Sequence, residues 1–319
     1  MKKRILQTLM LLFVSVAIYA QSNVKLVINH FLGDKPFLLN IEAKNDVGSN
    51  FTTSRLEYYI SGIKIIHDSG KVAAMPNLYI LQNAENNDTI NLGNFDVNKI
   101  EAINFCIGVD QKVNHNDPSK WAFSHPLSPK SPTMHWGWEP GYKFAVIEGA
   151  TGANLMQKFA IHALGDKNYF ETSIPITALQ LNNSQVIVLN ADYTLAVSQM
   201  YLESGIFNHG EDGTAADMLR YFQTKVFTNA QGEGNLLSTP KVVVNSGVKL
   251  YPNPSTGNVQ VAITNASLNN SNYRLSDITG RLIKEGAELP SEFNLNARGI
   301  YILTLQNEHF VSSEKLIIQ

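Results

Sequence analysis

Apolar side chains along this chain recur mostly at every second position, in short runs broken by Gly, Asn, Pro and Ser. Residues 24–30 show it most plainly: Val24, Leu26, Ile28 and His30 share one face, Lys25, Val27 and Asn29 the other. A period of two sends alternate side chains to opposite faces of a strand. Runs at 56–66, 78–82, 102–109, 142–148, 157–163, 185–190 and 193–197 predict further strands. The first two of these flank Asp68-Ser69-Gly70, as in a hairpin with a long connection. Over 214–226 the period changes, and Met218, Leu219, Phe222 and Val226 form a helical stripe with Thr214 and Asp217 in a capping arrangement. The pattern predicts an all-β protein, mostly an antiparallel β-sandwich, with one short helix.

The alternation pauses over 229–248, a polar stretch rich in Gly, Asn and Ser that reads as a linker. It resumes over 249–319, where Pro and Gly turns separate half-buried strands and predict a seven-stranded, Ig-like mini β-sandwich. At the other end, Met1-Lys2-Lys3-Arg4 precedes an apolar core from Leu9 to Ile18 and a small-residue site at Tyr19-Ala20-Gln21. That is a signal peptide over 1–20, too short to span a membrane. The expected organisation is thus signal peptide 1–20, first domain 21–228, linker 229–248 and C-terminal domain 249–319. No later run approaches eighteen apolar residues, so the mature chain is expected to lack a transmembrane segment.

Composition narrows the partners. Residues 1–20 carry three of the 25 basic side chains and none of the 27 acidic ones, so the mature chain has a net charge of −5. That balance argues against nucleic acid or anionic lipid. The single cysteine, Cys106, excludes an intramolecular disulfide and sits in the apolar run Ile103-Asn104-Phe105-Cys106-Ile107, where it reads as a buried, inert thiol.

The chemistry concentrates in one place. All three tryptophans lie within eighteen residues, two of them in Met134-His135-Trp136-Gly137-Trp138. Imidazole suits copper and zinc, thioether sulfur favours Cu(I), and an indole face shields a cation or is itself oxidised. Clustered tryptophans in a core strand are the plainer alternative. The preceding loop, 111–133, holds His115, Asp117, Trp121, His125 and four prolines without periodicity, and reads as a lid or site wall. Of the histidines, His67 reads as a hairpin tip, His209 as exposed loop, and His115 and His125 as uncommitted imidazoles. His309 belongs to the C-terminal unit. His30 at a strand end, His162 beside the small Ala160, and His135 are the candidate metal ligands, with Met134 a secondary one. No His-x-His or Cys-x-x-Cys pair supports them by spacing, and no hydrolase, zinc-protease or phosphate-loop motif is present.

The stretch from His135-Trp136-Gly137-Trp138 through Gly141-Tyr142-Lys143-Phe144 to Glu148-Gly149, with Tyr58-Tyr59-Ile60-Ser61 and Ile107-Gly108-Val109-Asp110, resembles the MbnP-like domain over roughly 24–228. Relatives of the MopE and CorA kind bind copper through histidines and a kynurenine made from tryptophan, with a di-haem peroxidase-like enzyme implicated in that modification. The resemblance implies that His135 is the motif histidine and that Trp136 or Trp138 is the oxidisable tryptophan, with His30 and His162 on flanking strands. Here the loop before the motif is Pro-rich, where many members carry a Gly-rich acidic segment. The Tyr251-Pro252-Asn253-Pro254 start, the Gly299-Ile300-Tyr301 strand and the Lys315-Leu316-Ile317-Ile318 finish resemble a type A C-terminal sorting domain of the type IX secretion system. That implies an address read by the outer-membrane translocon and its sorting machinery.

The leading expectation is an exported, non-catalytic copper-binding protein for metal acquisition or handling outside the cytoplasm, secreted or held at the cell surface. Its metal ligands would be His30, His135 and His162, with Trp136 and Trp138 as shielding or oxidised aromatics. The alternative is a metal-free adhesion or glycan-binding module whose platform is Trp121, Trp136, Trp138 and Tyr142.

Overall fold

The computed structural model describes residues 21–319 apart from 87, 182–183, 231–241, 244–247, 265–267, 269–270, 279 and 308–309. The expected signal peptide, 1–20, and most of the expected linker, 229–248, lie outside the described residues.

Two sheets face each other in the first domain. One is built around Ser22–Leu32, which runs parallel to Ser184–Asp192 on one side and antiparallel to Thr89–Phe95 on the other. Val24, Leu26 and Ile28 enter the main core, as the alternation predicts, while Val27 turns to the opposite face against Val186 and Val188. Truncating a side chain as enclosed as Leu26 to alanine typically costs about 2–5 kcal/mol.

The second sheet is organised by one long strand, Asn50–His67. Lys71–Met75 folds back on its end through the tight turn at Asp68-Ser69-Gly70, and Ile80–Asn83 pairs further along it. The expected pairing of 56–66 with 78–82 is thus formed, and Lys71–Met75 adds a further strand inside the connection between them. Register shifts between Thr53 and Arg55 and between Ser61 and Lys64 interrupt the alternation. Such bulges carry an extra residue and re-aim the side chains that follow. One edge of this strand is shared by two partners: Ala145–Thr151 pairs with its first half and Ile100–Ile107 with its second. They meet at Tyr59, whose N–H donates to the Phe144 carbonyl and whose carbonyl accepts from the Gly108 N–H, each at 2.9 Å. The loop from 108 to 144 leaves and re-enters the sheet at that seam. Gly108 has φ +123°, and a Cβ there would meet the Phe144 ring at 2.4 Å.

The sheet continues through Gln157–Ala163 to a short edge strand, Phe207–Gly210, which lies parallel to it. The fold is mostly β and mostly antiparallel, with one helix of two turns, Thr214–Tyr221, among the described residues that follow the loop. Its Ala215, Met218 and Leu219 pack into the core, and Phe222–Val226 continues it as a π-turn. The expected cap differs: Gly213 occupies the N-cap, Asp217 pairs with Arg220 at 2.6 Å, and the Thr214 hydroxyl is buried without a partner among the described residues. The strand expected over 193–197 is instead a 3-10 turn, Leu195–Val197, because Tyr193 turns inward to fill the core. Cys106 is buried and unpaired.

From Val248 onward the described residues form a second core, with Leu275, Leu303, Leu305 and Leu316 at its centre. Seven strands carry it: Val248–Tyr251, Asn258–Ile263 and Glu292–Asn294 make one sheet. Asn272–Asp277, Leu282–Gly286, Gly299–Gln306 and Phe310–Ile318 make the other, which Val242–Val243 extends at its edge.

Candidate metal centre

The site is an imidazole pair on the outer face of the larger sheet. Within Gln157–Ala163, Phe159, Ile161 and Ala163 point into the core, so Lys158, Ala160 and His162 face outward. The parallel neighbour puts His209 in register with His162 and Phe207 with Ala160. Partners in register on parallel strands project to the same face, so the two rings stack, 4.0 Å apart and within 4° of parallel.

Trp136 approaches this pair edge-on, 6.0 Å from His162 and 5.2 Å from His209. It is carried by a narrow hairpin in which His135 bridges Tyr142, Lys143 N–H donates to the Met134 carbonyl, and Trp136 N–H donates to the Gly141 carbonyl. Gly137 and Gly141 have positive φ, as the reversal requires. Lys143 lies 5.3 Å over the Trp136 ring and donates to the Thr133 carbonyl at 3.0 Å.

Charges tie the pair to its neighbours. His162 Nε2 sits 2.8 Å from Glu148 Oε1, and Arg55 bridges Glu148 at 3.1 Å and Glu57 at 2.6 Å. Burial pushes the His162 pKa down to about 4, against the pull of Glu148. Burial pushes Glu148 up, but the hydrogen bond from His162 and the charge of Arg55 outweigh it and leave that carboxyl below its ordinary range. At neutral pH a neutral imidazole therefore donates from Nε2 to a carboxylate, which leaves a lone pair on Nδ1. That Nδ1 is buried and has no hydrogen-bond partner among the described residues. Burial, then the charge of Lys143, lowers His209 as well. A carboxylate that fixes one ring nitrogen while the other stays open is the arrangement metal-binding histidines use.

The structure does not bring His30, His135 and His162 together. His30 faces the core as expected, but its Nδ1 lies 2.5 Å from the Tyr193 hydroxyl, its Nε2 lies 3.3 Å from the Gln82 side-chain amide, and the ring also hydrogen-bonds the Asn86 backbone. Both of its nitrogens are committed, and burial lowers its pKa to about 4. His135 packs edge-on against Tyr142 at 4.7 Å, with Nδ1 accepting from Gly137 N–H at 3.3 Å and Nε2 buried without a partner among the described residues. Met134 is buried, and its sulfur accepts from Arg55 at 3.3 Å. Trp138 is 71% exposed and offers its carbonyl, not its ring, to His115. The residues that sequence reasoning missed are His209 and Glu148. Among the described residues no three His, Cys, Asp or Glu side chains are arranged to hold a metal ion. Any centre here is two imidazoles beside an indole.

The loop 111–133 packs down on the same sheet. Tyr59 and Tyr142 donate to the carbonyls of Pro126 and Leu127, and Trp121 stacks on His125 at 4.1 Å.

The first unit is a β-sandwich with a histidine–tryptophan cluster on its outer face, followed by a separate C-terminal β-unit, and no helix among the described residues is long and apolar enough to cross a membrane. The chain belongs to the MbnP family, whose model matches residues 21–209. Residues 249–319 match the secretion system C-terminal sorting domain, so the chain is secreted to the cell surface or extracellular space by way of the type IX sorting machinery. Among solved structures it is similar to MbnP from Methylosinus trichosporium, with 15% identity over 60% of this chain and 82% of that one and a TM-score of 0.42. It is also similar to PorZ of Porphyromonas gingivalis, a surface component of the type-IX secretion system, with 12% identity over 91% of this chain and 46% of that one and a TM-score of 0.20. No curated protein matches the chain.

Proposed function

We propose that this protein binds copper outside the cytoplasm, without catalysis, at His162, His209 and Trp136. The observation that carries the reading is the buried, unpartnered Nδ1 of His162, held open by Glu148 and stacked on a second imidazole. Neutral imidazoles suit copper, and a kynurenine formed from Trp136 would add an aniline nitrogen and a ketone beside them. Trp136 fills that role in preference to Trp138, because its ring touches both histidines. His209 is the exposed ring of the stacked pair, and in this reading it would turn toward the ion on binding. A di-haem peroxidase-like enzyme is the modifying partner in this reading.

Titration of the purified exported protein with Cu(I) and with Cu(II) tests it. One equivalent should bind, and His162→Ala and His209→Ala should each abolish stoichiometric binding while His30→Gln leaves it intact. Unchanged binding in His162→Ala would overturn the assignment. Intact mass of protein from its native host, compared with Trp136→Phe, reads the kynurenine directly.

The metal-free adhesion reading keeps some footing in the exposed rings of Trp138 and Phe123. Tyr142, one of its four platform rings, is buried.

A further inference from the structure

We propose that His115 is a charged latch that holds the Trp136 hairpin down on the turn following the His162 strand, and that losing its proton loosens that hairpin. His115 caps the short helix Gln111–Asn114 and stands between two acceptors. Its Nδ1 is 2.8 Å from the Trp138 carbonyl, and its Nε2 is 3.0 Å from Asp166 Oδ2. A carbonyl and a carboxylate only accept, so both contacts are hydrogen bonds at once only in the imidazolium; in the neutral ring Nε2 can instead face the Asn114 Nδ2 donor, 3.5 Å away. A neutral ring keeps one of the two bonds and surrenders the other.

The two anchors matter because of what they neighbour. Trp138 is two residues beyond Trp136 in the hairpin, and Asp166 follows His162 by four residues in the turn Asp166–Asn168. The adjacent Asn114 makes a fixed, pH-independent version of the same link. Its Nδ2 donates to Asp166 Oδ1 and its Oδ1 accepts from Tyr142 N–H, both at 2.8 Å. His115 thus adds a titratable strap to a permanent one.

Other charges face the ring from each side. Glu139 on the hairpin, with Lys167 and Glu211 across a cleft of about 390 Å³, line the same opening. His135 is coupled to His115 by charge from the hairpin base, and the Glu139 backbone is a further hydrogen-bond partner of the His115 ring. The bond to Asp166, then that to the Trp138 carbonyl, holds the His115 pKa above its ordinary value. A raised pKa means the strap is in place below the usual histidine range and is lost as pH rises through the raised value. The side chain is 40% exposed, so solvent screening limits the effect to about 1.4- to fivefold in the opening equilibrium.

Hydrogen exchange on the full, metal-free chain tests this separately from copper binding. The Trp136 and Gly141 amides are hydrogen-bonded within the hairpin and report its opening. After correction for intrinsic base catalysis, their protection should fall about 1.4- to fivefold between roughly pH 5.5 and 8.5. His115→Ala should show the low protection at every pH. Asp166→Asn should return the His115 titration, followed by NMR, toward the ordinary histidine value. Protection that stays flat while His115 titrates, or a wild-type profile in His115→Ala, overturns the latch. Loss of copper binding with the latch intact would instead reject the metal reading alone.

Discussion

His162 and His209 are register partners in a parallel strand pair, and that relationship brings their rings to one face, where they stack at 4.0 Å. An antiparallel neighbour supplies the third component: Glu148 lies diagonal to His162 across the ladder and takes the proton-bearing nitrogen. Main-chain pairing, not loop closure, therefore positions this cluster, and rigid strands hold side chains more closely than loops do.

Replacing Glu148 by glutamine should separate orientation from ligation. The His162 ring would lose its carboxylate partner while every proposed ligand remains. Copper affinity should drop about 10- to 100-fold, the cost of removing such an outer partner. Equal affinity for wild type and Glu148→Gln in a competition titration would show that the carboxylate does not set the ring.

Stability should fall in mild acid because of His30. Its folded pKa is about 4 against 6.5 unperturbed, so the unfolded chain takes up a proton over a range where the folded site stays neutral. The contribution is complete above pH 6.5 and is lost as pH drops toward 4, by about 3 kcal/mol in all. His162, lowered to about 4 as well, acts in the same direction. Urea midpoints across this interval should slope steeply in wild type and less in His30→Gln. A flat profile would mean that His30 is not held neutral.

Gly149 should tolerate no side chain. A Cβ there would lie 1.8 Å from the Thr52 carbonyl and 2.9 Å from the Phe159 ring, in the middle of the sheet that carries Glu148. Backbone cannot yield as a flexible side chain can, so Gly149→Ala should destabilise by about 3 kcal/mol or more. Thermal unfolding by circular dichroism measures it, and a melting temperature within a degree or so of wild type would show that the strands part easily.

Deleting 249–319 should leave the first domain folded but confined to the periplasm. The two hydrophobic cores share no member among the described residues, so neither completes the other. Fractionation of the truncated protein decides it: appearance at the surface or in the medium would show that the address lies elsewhere.

Much of the fold is readable because alternation is strong where one face is buried. Residues 24–30 show it, and Gln157–Ala163 is a strand with the bounds its pattern suggests. The long strand Asn50–His67 is legible only in its second half, since the bulge near Ser54 breaks the period. The edge strand Phe207–Gly210 has four residues, a histidine and a terminal glycine, and reads as loop. Its parallel pairing arises from a distant crossover that no local pattern records. That is why His209 goes unseen as a partner for His162. His30 illustrates the converse: its inward direction follows from periodicity, but its ties to Tyr193 and Asn86 depend on side chains brought in from elsewhere.

Both ends of the excursion from Gly108 to Phe144 are fastened to Tyr59, one through its carbonyl and the other through its N–H. A segment anchored that way is laid out as a cassette: both of its feet stand 2.9 Å from the same residue. The tryptophans, the proline-rich wall and the His115 strap all lie within it. The imidazole pair stands outside it, on strands that need not change. Evolution, or a protein engineer, can therefore rewrite what this surface admits without redrawing the scaffold that would hold it.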